Sequence, residues 1–509
     1  MKSLLLLLVA GATHLAPSLA KQPCPLYGPL FPKPSNLLQN AAIQAAAQSL
    51  DEILPKYIDH DNTTGADHFS YSVEVFSGSE DKPLWSKVDT NTVFRIRGIT
   101  KIFTVLAFLA TVGDKVWNEP VTKYLPELKR LAEKTPGGSM MVPNWEEVTL
   151  GSLASQTSGL IRDWDQLFAG LGKLPLSFPT SSTPAYADIS FALLSYVAER
   201  ITGKDFKTLV QDSVLTPLSL THTFTSAPDD SLGIIPGNRY KTSWASTVTR
   251  RWLKPSVFTS DPKSLVGMPW GIRQLDIGFN QSFQITHAFN KLGSIGAYTS
   301  LLAIIPDLDI GFSLLAAGDP PAGLAMDIAD TLTSTYLSTM TYVARTEADR
   351  IYSGQYRYTE NITTITERKR LNSSLTISTS SSSPGHILKN WISNSTDMSL
   401  YAVAIGSNTT DEYLDKIKPS VRLYPTGFSE PLPDEKGKRV AFKAFLEDLS
   451  LPERKPGMQT GTDCATWVCV TGVVYASRPL DLFVFEVDET GKVRGLENGA
   501  LRVRLDKVG

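Results

Sequence analysis

Cysteine is scarce in this chain: only Cys24, Cys464 and Cys469 occur among 509 residues. That excludes a small disulfide-stapled scaffold, so an apolar core has to carry the fold. Cys464 and Cys469 are spaced to close a small loop, leaving Cys24 odd, or Cys24 bridges to one of the pair; the sequence does not choose. Excess charge of either sign is also lacking, with 49 Lys and Arg against 51 Asp and Glu and no long basic run. Nucleic acid and anionic membrane are therefore excluded as expected partners. The six histidines (His14, His60, His68, His222, His287, His386) include no pair at i, i+4 or His-x-His spacing, which argues against a zinc site. There is no Gly-x-Ser-x-Gly elbow and no phosphate-cradling glycine loop, so no cofactor is expected. Apolar runs of membrane-spanning length are absent too. The longest run after the N-terminus, residues 102–112, has the size of a buried core helix, so no stable membrane anchor is expected.

What is present at the start reads as an address. Lys2 supplies a positive start, residues 4–11 are apolar, and Ser18 and Ala20 put small residues where a signal peptidase cuts. Residues 1–20 are thus expected to be a signal peptide. Six sequons lie further along, at Asn62, Asn280, Asn361, Asn372, Asn394 and Asn408. Together with the leader they predict a glycoprotein that is secreted or held in the lumen of a eukaryotic secretory route.

Periodicity gives the layout. Residues 36–54 have apolar positions at helical spacing. Phe69, Tyr71, Val73 and Val75 alternate with polar residues as a half-buried strand does. A helix is predicted over about 98–112. Two strands, 298–305 and 310–316, are predicted around Pro306-Asp307-Leu308-Asp309, with a long helix after them over about 322–349. This order predicts an α/β sandwich: an antiparallel sheet flanked by helices with a helical insertion. Beyond residue 350 polarity rises and helical periodicity fades, while Phe483, Phe485 and Val487 alternate. The predicted organisation is one domain over 21–349 and an all-β domain over 350–509.

Several segments carry a resemblance. Val93-Phe94-Arg95-Ile96-Arg97-Gly98-Ile99-Thr100-Lys101-Ile102-Phe103-Thr104 is similar to the Phe-Arg-Ile-Gly-Ser-x-Thr-Lys-x-Phe-Thr run of the serine β-lactamase-like, class C penicillin-binding-protein-like family. The stretch 119–127 resembles the family's next segment after that run. Residues 149–160, ending Gln156-Thr157-Ser158-Gly159-Leu160, resemble the family's Leu-Leu-x-His-Thr-Ser-Gly-Leu signature. Tyr186-Ala187-Asp188 resembles its Tyr-x-Asn motif, and Lys291-Leu292-Gly293-Ser294 its Lys-x-Gly strand. Their order and spacing over about 85–320 identify the chain as a member, and its β-rich tail resembles accessory domains of fungal, secreted members. The implied fold is the β-lactamase/transpeptidase-like one.

The resemblance implies a serine nucleophile with a lysine three residues on, sharing its helix face. Here the serine's position is Gly98, which has no side chain to acylate. Thr100 points to another face, and Ser155 and Ser158 read as loop or packing residues. Asp188 stands where the family has Asn; a carboxylate beside Lys101, and near Lys291, favours the charged ammonium and disables a lysine base. Arg97 replaces a small residue and is expected to fill the cleft mouth.

Other implied machinery is kept. Lys101, Tyr186 and Lys291 occupy the family's catalytic positions, and the backbone N–H groups of Gly98 and Ser294 stand where it forms its oxyanion hole. Such a set can polarise a carbonyl and move protons without a nucleophile. The expectation is a protein that binds a small carbonyl-containing molecule, with a non-hydrolytic acid/base step in fungal secondary metabolism. The alternatives are a secreted pseudoenzyme that only binds, or a hydrolase or acyltransferase recruiting another nucleophile. If the cleft is poised, Gly98→Ser should install weak esterase activity.

Overall fold

The computed structural model describes residues 24–59, 69–88, 94–134, 143–160, 171, 176–220, 223–226, 251–277, 284–295, 298–318, 323–359, 372–406, 411–434, 436–451, 470, 473–475 and 477–508. They divide into two compact units, each described separately. Residues 32–277 and 284–347 form the first, and residues up to 31 together with those from 348 onward form the second.

The first unit is built on one antiparallel sheet of eight strands, in the order β2-β1-β8-β7-β6-β5-β4-β3. The strands are β1 (Phe69–Ser77), β2 (Trp85–Val88), β3 (Val257–Phe258), β4 (Ser264–Val266), β5 (Gly271–Asp276), β6 (Ile285–Ile295), β7 (Tyr298–Ile305) and β8 (Ile310–Gly318). The expected hairpin between β7 and β8 is turned by a single 3₁₀ turn, Pro306–Leu308, closed by Asp309 in the left-handed region at φ +55°. An aspartate tolerates that conformation because its short polar side chain bonds locally. Here the carboxylate also accepts from Lys33 Nζ at 2.6 Å and Ser77 Oγ at 3.0 Å.

Each face of the sheet is covered by helices. Against one face lie α1 (Ala41–Asp59) and a long helix near the unit's C-terminal end (Leu324–Tyr352, whose last turns fall in the second unit). Ile43, Ala46, Leu50 and Leu54 stripe the first at helical spacing; Leu324, Ile328, Leu332, Tyr336, Met340 and Val343 stripe the other. They pack on Val73, Val75, Leu301, Ala303, Phe312 and Leu314 of the strands. On the opposite face sit α2 (Thr100–Thr111), α3 (Pro126–Lys134), α4 (Leu150–Ala154), α5 (Asp188–Thr202) and α6 (Phe206–Val210). Their core gathers Val105, Phe108, Trp145, Leu153, Leu194 and Val197 over Ile272, Phe289 and Leu302 of the sheet. The long helix thus becomes α7, ending at Tyr352 rather than 349.

Helix α2 begins two residues later than its sequence suggests. Gly98 lies instead in a 3₁₀ turn, Arg97–Ile99, that leads into it.

The second unit is a closed antiparallel barrel. Strands β9 (Gly354–Arg357), β10 (Ser374–Ser380), β11 (Ser383–Ser393), β12 (Thr396–Asp397), β13 (Pro419–Pro431) and β14 (Gly437–Asp448) are followed by a short pair, β15 (Val474–Tyr475) and β16 (Arg478–Pro479). Then come β17 (Leu482–Asp488), β18 (Val493–Asn498) and β19 (Val503–Val508). The sheet runs β10-β9-β19-β18-β17-β14-β13-β11-β12, and β10 also pairs with β11, which closes the ring and so pairs its edges with each other. The expected all-β unit is present, and its barrel carries one short helix besides: α8 (Met398–Gly406) packs on β11, β13 and β14. Its apolar run, Leu400 to Ile405, was hidden among sequons and serines.

The N-terminal segment belongs to this unit. Cys24 is disulfide-bonded, so it is not the odd cysteine; Cys464 and Cys469 lie outside the described residues. The Cys24 amide donates to Glu447 Oε2 at 3.0 Å, and its carbonyl accepts from Tyr424 OH at 3.3 Å. Among the sequons, Asn372 and Asn394 are exposed; Asn62, Asn280, Asn361 and Asn408, like the leader, lie outside the described residues.

Candidate active site

The side chains of β6 alternate between the two faces, as strand geometry requires. Phe289, Lys291 and Gly293 are buried, with Phe289 in the core beneath α2, whereas Leu292 and Ser294 are exposed. Lys291 pairs in register with Leu302, and Gly293 with Ser300. Opposite this strand stands the turn that carries Gly98.

The approach there is very close. A Cβ built on Gly98 would lie 2.0 Å from the Leu292 carbonyl oxygen and 3.0 Å from Gly293 Cα. A Cβ on Gly293 would meet Ile96 O at 2.3 Å and Gly98 N at 2.7 Å. Backbone therefore meets backbone, and two glycines permit it. Ser300 fastens the contact, its fully buried hydroxyl lying 3.0 Å from Ile96 O and 3.3 Å from Gly293 O. The expectation that a serine could be reinstated at 98 fails on this geometry, because the volume its side chain needs is filled by the Leu292 carbonyl. Arg97, immediately before, has φ +23°, a conformation that is costly for a side chain of this kind.

Three residues along from Gly98, α2 delivers Lys101 into a polar cluster. Its side chain is only 7% exposed. Lys101 Nζ donates to Tyr186 OH at 2.8 Å and is ion-paired with Asp188 Oδ1. Tyr186 OH also lies 3.0 Å from Asp188 Oδ1. Arg97 Nη2 reaches the other carboxylate oxygen at 3.2 Å, so Arg97 lies over Asp188 at the solvent side of the cluster. Asp188 sits in the first turn of α5, where the helix N-terminus favours a negative charge.

Lys291 completes the group from the sheet side. Its Nζ lies 5.3 Å from the centroid of the Tyr186 ring, and that of Lys101 4.8 Å from the same ring. Lys291 makes no hydrogen bond to a described residue. Burial, helped by the positive charge of Lys101 and opposed by Asp188, pushes its ammonium pKa down to about 8. Arg97, Lys101, Tyr186, Asp188 and Lys291 are thus brought together. Gly98 meets β6 through backbone, and the exposed Ser294 pairs with Thr299 in the sheet.

Ser155 and Ser158 stay out of the cleft chemistry. Ser155 Oγ bonds to Gly151 O at 2.8 Å, and Ser158 Oγ shares a hydrogen bond with Ser190 Oγ at 3.0 Å, both buried. One positioning residue escaped the sequence reading. Gln156, at the histidine position of the resembling signature, has φ +61°. Its Oε1 accepts from Ala187 N at 2.7 Å and its backbone carbonyl accepts from Ala185 N at 2.7 Å, so it grips the chain on both sides of Tyr186. A glutamine departing from the signature's histidine was the available signal.

Known proteins share the same outline. Residues 64–233 match the family described as "Beta-lactamase", and residues 344–509 match "Beta-lactamase-like-like, C-terminal domain". A "Beta-lactamase-like protein" of Arthroderma benhamiae is 25% identical over 98% of this chain and 98% of its own. The "Probable hydrolase M10" of a Phoma species is 20% identical, covering 94% of this chain and 90% of its own. Among solved structures, a class C β-lactamase from Rhodobacter sphaeroides aligns at 18% identity and a TM-score of 0.43, over 58% of this chain and 100% of that one.

Proposed function

The chain belongs to the β-lactamase-like family, and we propose that its cleft binds a small carbonyl-containing molecule without forming an acyl-enzyme and carries out a non-hydrolytic acid/base step on it. One observation carries this reading: the Leu292 carbonyl fills the volume a nucleophile at position 98 would need, while the proton-handling groups around it stay assembled. Among the described residues, three cationic side chains, Arg97, Lys101 and Lys291, stand against one carboxylate, Asp188, which suits an electron-rich oxygen. Tyr186 is 40% exposed and, with Arg97, forms the accessible part of the cluster. In the proposed step Lys101 and Asp188 hold each other and orient the Tyr186 hydroxyl, which gives a proton to or takes one from the bound oxygen. Lys291, whose ammonium pKa burial pushes down to about 8, takes the proton lost from carbon.

A role in fungal secondary metabolism is part of the same proposal and is supported by fungal relatives named as probable hydrolases. The N-terminal leader and the sequons support a secretory lumen or the outside of the cell as its place. The test is intact mass of the deglycosylated protein after exposure to a fluorophosphonate and to benzylpenicillin. No adduct is expected; a stoichiometric adduct mapping to the cleft overturns the reading and restores a covalent hydrolase. A second reading, a secreted pseudoenzyme that only binds, is favoured by the same filled volume at Gly98. Deuterium uptake at the α-carbon of small ketones separates the two. Exchange accelerated by wild type and lost in Tyr186→Phe supports catalysis, whereas no acceleration supports binding alone.

A further inference from the structure

Two lysines share the cluster, and their surroundings assign them different chemistry. Lys101 is saturated: it has the Asp188 carboxylate, the Tyr186 hydroxyl and the Phe191 ring at 5.4 Å. An amine held by a carboxylate and a hydroxyl is a poor nucleophile. Lys291 is buried, makes no hydrogen bond to a described residue, and faces the Tyr186 ring with a second cation beyond it. A desolvated lysine beside another cation is the arrangement that frees an amine lone pair near neutral pH.

Resting on the proposal that the cleft receives a carbonyl compound, we propose that Lys291 is an imine-forming lysine that captures an aldehyde or ketone, on the geometry of a buried amine with no hydrogen-bond acceptor among the described residues, stacked against Tyr186 and beside Lys101. The step is balanced without an oxidant or reductant. The Nζ lone pair attacks the carbonyl carbon, a C–N bond forms, and the carbonyl electrons move to oxygen. One proton moves from nitrogen to that oxygen to give the carbinolamine. Its C–O bond then breaks, the oxygen leaves as water with the second nitrogen proton, and the resulting imine is made cationic by a further proton. Lys101 remains the fixed positive charge beside the new C=N bond, and the Tyr186 hydroxyl is the group placed to exchange protons with the departing oxygen. With its nitrogen bound in the imine, Lys291 no longer acts as the base assigned to it above. The protonated imine acidifies the neighbouring C–H bond, and Tyr186, having given its proton to the departing oxygen, takes the proton released from carbon, for proton transfer or an aldol-type step.

The groups that set the titration of Lys291 are Lys101 on α2, Asp188 on α5 and Tyr186 just before it, besides burial itself. With its pKa pushed down to about 8, the free-amine fraction at pH 7 exceeds that of an ordinary lysine by a factor on the order of 100.

The experiment uses the full chain and acetylacetone, a 1,3-diketone that forms a stable, near-ultraviolet-absorbing enaminone with reactive amines, alongside benzaldehyde followed by borohydride reduction. Peptide mapping of wild type is expected to place both adducts on Lys291, at a rate about a hundredfold above surface lysines and rising through pH 8. Lys291→Arg should abolish the adduct while far-ultraviolet circular dichroism stays unchanged. Lys101→Met should shift the pH profile of labelling upward by removing the neighbouring charge. Labelling spread over surface lysines in wild type overturns the proposal, and needs no variant to fold. If that happens while ketone α-exchange still depends on Tyr186, only the imine fails and the acid/base reading stands. If neither occurs, both fail.

Discussion

Gly98→Ala tests the closed nucleophile position most directly, because it adds one carbon and nothing else. Gly98 does not use a left-handed backbone, so an alanine meets no torsional penalty there. Judged by helical propensity alone, alanine would be favoured by up to about 1 kcal/mol. Sterics oppose it. The added Cβ falls 2.0 Å from Leu292 O and 3.0 Å from Gly293 Cα, and both are backbone atoms that cannot rotate away. Restoring an ordinary contact requires the turn and β6 to separate by about 1 Å. That movement strains the Ser300 hydrogen bond to Ile96 O and the β6–β7 register. Overpacking of this kind costs about 1–3 kcal/mol, more than propensity returns, so the substitution is expected to destabilise by ~1–2 kcal/mol. Gly98→Ser should cost as much and acquire no esterase activity. Thermal unfolding tracked by circular dichroism should show a midpoint lower by about 2–3 °C for both variants. Turnover of p-nitrophenyl acetate and of a chromogenic cephalosporin should stay at the wild-type background. A Gly98→Ser protein as stable as wild type that is acylated by a fluorophosphonate would refute the closed-site reasoning.

Asp188→Asn removes the carboxylate of the cluster and leaves Lys101, nearly fully buried, as an uncompensated cation. The partial exposure of Asp188 screens the interaction, so a loss of ~1–3 kcal/mol in urea unfolding is expected, and an unchanged midpoint would show that the pair is ornamental. Gln156→Leu leaves the Ala187 N–H without its acceptor; a loss of about 1–3 kcal/mol is expected, with weaker carbonyl binding because Tyr186 is no longer held. In the barrel unit, His386 is fully buried among Phe31, Tyr352 and Phe442. Burial pushes its pKa down to about 4, only partly offset by the backbone at Leu423 and Ala348 and by Asp349. A histidine depressed in the fold is protonated first in the unfolded chain. Stability should therefore fall as pH drops from about 6.5 to about 4 and level off below, by about 3 kcal/mol in all. His386→Phe should flatten that slope in pH-dependent unfolding; a slope unchanged by the substitution would assign it to other groups.

Much of this protein is determined by the order of its residues. Strand alternation at Val73 and Val75, and the helical stripes of α1 and α7, arise from side-chain periods that act locally, so the sandwich was legible before any coordinates. The absence of a serine at 98 is likewise a matter of sequence, as is the presence of Asp188 beside the motif tyrosine. The helix α8 was not legible, because its short apolar run is surrounded by polar, sequon-bearing chain and is stabilised by the strands it covers. Nor was the state of the cleft. A glycine in a motif says that a side chain is missing, but it does not say whether the space is left empty or filled. Only the packing of β6 on the turn, two backbones brought together from positions nearly 200 residues apart, decided that the Leu292 carbonyl occupies it. The same is true of the two lysines. As residue types they are identical, and what separates them is tertiary: one reaches a carboxylate and a hydroxyl, the other is buried against a ring and bonds to neither.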